Sequence, residues 1–296
     1  MDYMFLFLSV LCTGFQFIFA KIYQTKVGNG VITSLLFMLF SGITASILLL
    51  CICAFHITIN SFALLAAAGE IICAVGYNVV GMKMMSLGKV AVYTMFLMLG
   101  GMFVPSLYGI IFLGESVTLW KIIGTILLII ALVLPTLVKS EEKSNNIKLF
   151  TALGIVVFLL NGMVGIFNKM HQISPNAIPT LEFSLWQNII CVVVMSFVFL
   201  IYAFINKKAK VIVDNTKEAM SVWWSIVLFS IISQTGGILL LLAAKTVDAS
   251  VMYPVLTGGV IVITALFGFF FYKEKINLFI GISIILSIVS TALFLL

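Results

Sequence analysis

Arginine is absent from this 296-residue chain, and charge of either sign is scarce. Bidentate guanidinium clamps are the usual means of holding phosphate or carboxylate groups. Their absence argues against a sugar-phosphate or nucleotide-sugar ligand, although lysine supplies a point charge. Charged residues make up 9% of the chain, against about 25% in an ordinary soluble domain. No soluble surface can be built from that supply. The five cysteines, Cys12, Cys51, Cys53, Cys73 and Cys191, all fall in apolar stretches without metal-ligand spacing. They read as small buried hydrophobes, not as a disulfide framework. Only two histidines occur, His56 and His171, and there is no metal-binding pair, nucleophile elbow, Walker loop or dinucleotide fingerprint. Neither an enzyme nor a cofactor is called for.

What is plentiful is apolar sequence, 63% of the chain. A bilayer crossing needs about 20 such residues. Residues 4–20, 90–114, 149–168, 183–206, 219–244, 249–272 and 276–296 qualify, and 122–138 is shorter but adequate. The run 27–69 is too long for one crossing; the polar stretch His56 to Asn60 divides it, and its second part continues through Glu70 to Met82. The expectation is an all-α polytopic membrane protein with ten crossings. The first crossing is not a cleaved signal, because it has Asp2 in place of a basic leader and Gln16 and Lys21 where small residues would be needed. Polar stretches are short, the longest being 139–148 and 206–218.

The chain also repeats itself. Gly109 and Phe112-Leu113-Gly114-Glu115 recur 159 residues later as Gly268 and Phe271-Tyr272-Lys273-Glu274, and at the same offset Gly100 meets Gly259. Gly14, Ile18, Phe19, Lys21 and Gln24 recur as Gly162, Ile166, Phe167, Lys169 and Gln172 at an offset of 148. Residues 1–138 and 149–296 therefore read as two copies of one five-crossing unit, joined by the linker 139–148. An odd number of crossings places the second copy upside down, and inverted repeats are characteristic of transporters that alternate access to a central site. Lysine is unevenly distributed: odd-numbered connections hold thirteen and even-numbered ones three. By the positive-inside rule the thirteen face inwards, and both termini face outwards.

Residues 249–296 begin with small residues and carry Pro254, an aromatic run, Glu274 and Gly281; the first half repeats this with Gly114, Glu115 and Gly124. In these features the chain resembles the EamA-like family of the drug/metabolite transporter superfamily. The resemblance implies ten helices around a central cavity and movement of a small organic molecule, over the whole chain. Two departures stand out. Many relatives have inward-facing termini, and Lys273 occupies the place of the glycine in the second Gly-Glu turn.

Charge at membrane depth is costly and usually faces a cavity or a partner. Glu70 lies two turns into the third crossing, on one helical face with Tyr77 and Asn78. It reads as a cavity acid for a cation or proton, or as a carboxyl hydrogen-bonded to a neighbouring helix. Glu182 and Trp186 begin the seventh crossing; they suit an organic cation through charge and cation–π attraction, or an interfacial belt. Gln16, Tyr93, Asn161, Asn168, Gln234, Tyr253 and Thr257 place polar groups on crossings 1, 4, 6, 8 and 9. Singly each reads as interhelical glue; together they suggest a wet centre. Gly100-Gly101 and Gly258-Gly259 permit close helix approach, and Pro105 can kink the fourth crossing.

The expected function is a secondary transporter of a small metabolite, leaning to cationic or zwitterionic amine or aromatic compounds, with Glu70 and Glu182 as coupling candidates. An anion or nucleotide-sugar exchanger and a non-transporting intramembrane protein are the alternatives. The expected partners are the small-molecule substrate and the lipid bilayer of the cell membrane, with no nucleic acid, in a monomer or a homodimer.

Overall fold

The computed structural model describes residues 2–28, 30–87, 90–137, 147–206, 209–272 and 278–296. Most of the linker (139–146), and Lys273 and Glu274 of the second repeated turn, lie outside the described residues. The described residues form helices and no strand. In chain order these are α1 (Asp2–Val27), α2 (Val31–Ile52), α3 (Ser61–Met85), α4 (Val90–Phe112), α5 (Leu119–Val133), α6 (Ile147–Ile173), α7 (Thr180–Asn206), α8 (Ala209–Ser221), α9 (Trp223–Ala243), α10 (Ala249–Tyr272) and α11 (Leu278–Leu293).

Local chemistry sets several of these ends. Asn60 Oδ1 accepts from the amides of Phe62 (2.8 Å) and Ala63 (3.4 Å) and so starts α3. Thr118 Oγ1 does the same for α5 through Lys121 N. α4 stops where Gly114 takes φ +70°, and the amides of Leu113 and Glu115 both return to Gly109 O at 3.1 Å; a left-handed residue there is most easily glycine. Pro135 ends the α-helical geometry of α5, which closes in a 3-10 turn, Leu134–Leu137.

Nine described helices are long and apolar enough to cross a membrane, and α11 is a shorter apolar helix. Large apolar side chains such as Leu65, Phe112 and Phe204 are over 70% exposed on the bundle's outside. Such a belt requires lipid around it, and the protein is a multi-pass membrane protein.

Two expectations change. The eighth crossing does not begin at Ala219. A separate helix, α8, occupies the polar stretch there and packs against α1 and α2. Its Asp214, Lys217 and Glu218 are too polar to cross, while Ala219 is buried with Tyr23, Val27 and Val222. The crossing itself starts at Trp223. Lys21, Lys83 and Lys169 also lie inside α1, α3 and α6, not in connections.

The principal helix contacts join the two halves of the chain. α1 packs on α9 and α10; α6 packs on α3 and α4; α2 meets α7, α4 meets α10, and α5 meets α11. Glycines set the closest approaches. A Cβ on Gly100 would strike the backbone of Phe158, and one on Gly259 would strike the side chain of Val10. Gly162 faces Val104 in the same way, and Gly14 faces Ile263. Hydroxyls complete the α5–α11 seam: Ser283 Oγ donates to Ala131 O (2.6 Å) and Ser290 Oγ to Gly124 O (2.7 Å).

Candidate functional site: an acid in an amide-lined cavity

Glu70 projects from the middle of α3 into a cavity of about 220 Å³. Its carboxyl is buried, and Oε2 has no hydrogen-bond partner among the described residues. Buried polar atoms are nearly always paired, so an orphan carboxyl oxygen marks a place where something can bind. The other walls come from the second half of the chain: Asn168 of α6, Ser184, Gln187 and Asn188 of α7, Ser233 and Gln234 of α9, and Tyr253 of α10.

These side chains form a connected set. Gln187 Nε2 donates to Asn168 Oδ1 (2.7 Å). Asn188 Nδ2 donates to Ser184 O (2.7 Å) and to Gln234 Oε1 (3.0 Å), and Gln234 Nε2 donates back to Asn188 Oδ1 (3.1 Å). Ser184 Oγ also donates to Gln234 Oε1 (3.0 Å). Tyr253 OH donates to Gly165 O (2.6 Å), which locks α10 to α6. Interlocked amides of this kind hold one another's rotamers and so preorganise the walls.

One end of the bundle is fastened directly above this cavity. Lys169 is buried and donates to Ala244 O (2.9 Å) and Val247 O (2.7 Å), the last carbonyls of α9 and its following turn. A cation suits the C-terminal end of a helix. Beside it, Glu115 accepts from the amides of Ala249 (2.7 Å) and Ser250 (2.8 Å), capping α10. Glu182 accepts from Thr58 N (2.6 Å) and meets His56 Nδ1 (3.4 Å), while Trp186 Nε1 donates to Thr58 O (3.0 Å). His171 is sandwiched between Phe183 and Phe62, and its Nε2 accepts from Ile178 N.

Towards the other end of α3 and α10 lie three larger cavities of about 370, 330 and 400 Å³, whose remaining walls come mainly from α1, α2, α4, α5 and α11. They share walls. Thr94 belongs to the first and third, Met98 and Thr264 to the first and second, Phe17 and Gln24 to the second and third.

Of the residues singled out in the sequence, Glu70, Asn168, Gln234 and Tyr253 line the 220 Å³ cavity. Asn78 and Tyr93 line the 400 Å³ cavity instead. Tyr77 packs with Met84, Tyr93 and Phe150. Asn161 Nδ2 donates to Leu97 O (2.7 Å) and ties α6 to α4. Glu182 and Trp186 hold the turn before α3, and Gln16 and Thr257 line none of these four cavities. The sequence reading missed α7 as a wall. Ser184, Gln187, Asn188 and Cys191 recur at helical spacing on one face, a signal that Glu182 and Trp186 overshadowed.

Comparison with known proteins adds two findings. Residues 195–287, from α7 into α11, match the family model of the Small Multidrug Resistance protein, which covers under half of the chain. A solved protein described only as "Crystal structure of protein" has the same fold, with a TM-score of 0.74 at 9% identity over 99% of this chain and 95% of its own. No curated protein matches the chain.

Proposed function

We propose that this protein is a secondary transporter that carries a small cationic or zwitterionic metabolite across the cell membrane by alternating access; the EamA-like resemblance implies movement of a small organic molecule, and the repeated five-crossing unit supports alternating access. The observation that carries the reading is the buried, unpartnered Glu70 oxygen in an amide-lined cavity between α3 and the helices of the second half. The match to the Small Multidrug Resistance model supports the same class of activity.

The transporting units are two inverted repeats, 1–138 and 149–296. Contacts at the repeat offsets support this. Gly100 on Phe158 corresponds to Gly259 on Val10, and Gly162 on Val104 corresponds to Gly14 on Ile263. Gly76 against Leu160 likewise corresponds to Gly236 against Cys12. Each pair shifts by 148 residues in α1/α6 and by 159 or 160 in the partner helix. Hydrogen bonds from Lys169 fasten one end, and the three linked cavities lie at the lysine-rich end, which the positive-inside rule places inside; they share no lining residue with the Glu70 cavity.

In this reading Glu70 takes the cationic group or the coupling proton. Glu70→Gln keeps the shape and a hydrogen-bonding end but cannot ionise. Transport by purified Glu70→Gln in proteoliposomes is expected to be lost, or to lose its pH dependence. Unchanged transport with unchanged pH dependence would remove Glu70 from the mechanism and with it this reading of the cavity.

A further inference from the structure

Resting on the reading of the Glu70 cavity as the transport site, we infer that its substrate is a compact zwitterion: an ammonium for Glu70 and a carboxylate for the amides opposite. A large lipophilic cation does not fit it. Size is the first argument. The cavity, at about 220 Å³, falls below the roughly 300–1,000 Å³ of sites for drug-sized molecules. Its lining is the second. Tyr253 is the single aromatic among the described lining residues, and its hydroxyl is committed to Gly165 O. The stacked aromatic faces that hold lipophilic cations are therefore missing from these walls.

The hydrogen-bond inventory is the third argument and the most specific. A carbonyl can only accept, so the bond from Asn188 to Ser184 O fixes which end of the Asn188 amide is nitrogen. That in turn fixes Gln234, whose oxygen takes two donors and whose nitrogen keeps one N–H unclaimed. The Asn168–Gln187 pair exchanges one bond and leaves three N–H groups and one carbonyl, whichever way round the two amides lie. Among the described residues the four amides keep four unclaimed N–H groups, and their oxygens keep four unclaimed lone pairs beside the Glu70 carboxyl. A bare cation would satisfy Glu70 and leave those N–H groups without an acceptor from the ligand. A carboxylate accepts several donors at once, and hydrogen bonds to a charged group are stronger than neutral ones. Ile71, Leu240 and Leu241 supply apolar lining that suits a short side chain.

The test is binding to the purified full-length protein by thermal shift, followed by proteoliposome uptake. The probes are alanine and serine, their amine halves ethylamine and ethanolamine, their acid halves propionate and lactate, and tetraphenylphosphonium. The zwitterions are expected to bind about tenfold or more tightly than either half, because a site built for a polar group rejects an analogue that lacks it. Asn168→Leu should bring the zwitterion down to the level of the amine, and Gln187→Leu should do the same, which guards against one variant failing to fold. Equal binding of amine and zwitterion, preference for tetraphenylphosphonium, or no binding by alanine or serine overturns the inference. If tetraphenylphosphonium is instead carried in a manner that Glu70→Gln abolishes, the transporter reading stands and only the substrate class falls.

Discussion

Three acids that look alike in the sequence have different partners in the structure. Glu182 is satisfied by Thr58 N and His56, and Glu115 by two amides at the start of α10. Glu70 alone of the three has an oxygen buried without a partner. The first two therefore fasten helices, and their loss should appear in stability. Glu115→Ala leaves the first amides of α10 uncapped, and losing a helix cap costs about 0.5–2 kcal/mol. The melting temperature in detergent should fall by several degrees, whereas exposed Glu218→Ala should stay within about 0.5 kcal/mol of the parent. An equal effect at both sites would discount the cap. The sequence located all three acids in or beside helices. It could not assign their roles, because spacing gives depth along a helix and says nothing of what lies across from it.

At the scale of helices, closeness of packing separates glycines that the repeat makes equivalent. An added methyl on Gly100 would meet the backbone of Phe158, which cannot step aside without moving α6; on Gly259 it would meet a Val10 side chain. Overpacking costs about 1–3 kcal/mol, so Gly100→Ala should destabilise towards the top of that range and Gly259→Ala towards the bottom. Gly237, with open space around it, should tolerate alanine or gain slightly, since alanine is the better helix former. Melting curves of the three variants decide the order, and a Gly259→Ala penalty larger than that of Gly100→Ala would contradict the packing. Both matched glycines were visible in the sequence, but which of them faces backbone was not. The stripe on α7 was equally visible, yet its meaning depended on α9 lying opposite, where Gln234 closes the amide network.

For the whole molecule, topology is the open expectation. With Lys21, Lys83 and Lys169 set aside as helical, eleven lysines remain in the odd-numbered connections and two in the even-numbered ones, so α8 should lie inside and both termini outside. A cysteine placed at Val213, exposed on α8, should escape an impermeant thiol reagent in intact cells and react after permeabilisation. Labelling from outside would reverse the orientation. The five native cysteines are replaced first, since Cys51 is exposed.

Composition alone was enough for the environment, because a chain with 9% charge cannot clothe itself in water. The apolar runs were enough for the helices, nine described ones long enough to cross and α11 shorter, since hydrocarbon thickness sets the length of a crossing. Periodicity did less well where polarity was mixed: α8 packs Ala219 against Tyr23 and Val27, and such burial offsets the cost of holding a short helix. The candidate site divides in the same way. Glu70, Asn168, Gln234 and Tyr253 could be picked out as polar groups in apolar helices. Their assembly with Gln187 and Asn188, and the diversion of Asn78 and Tyr93 to another cavity, was decided by helices distant in the sequence packing side by side. A helix's own sequence specifies which residues share a face; only the neighbour packed against that face decides whether a polar side chain on it becomes glue, a cap or a ligand.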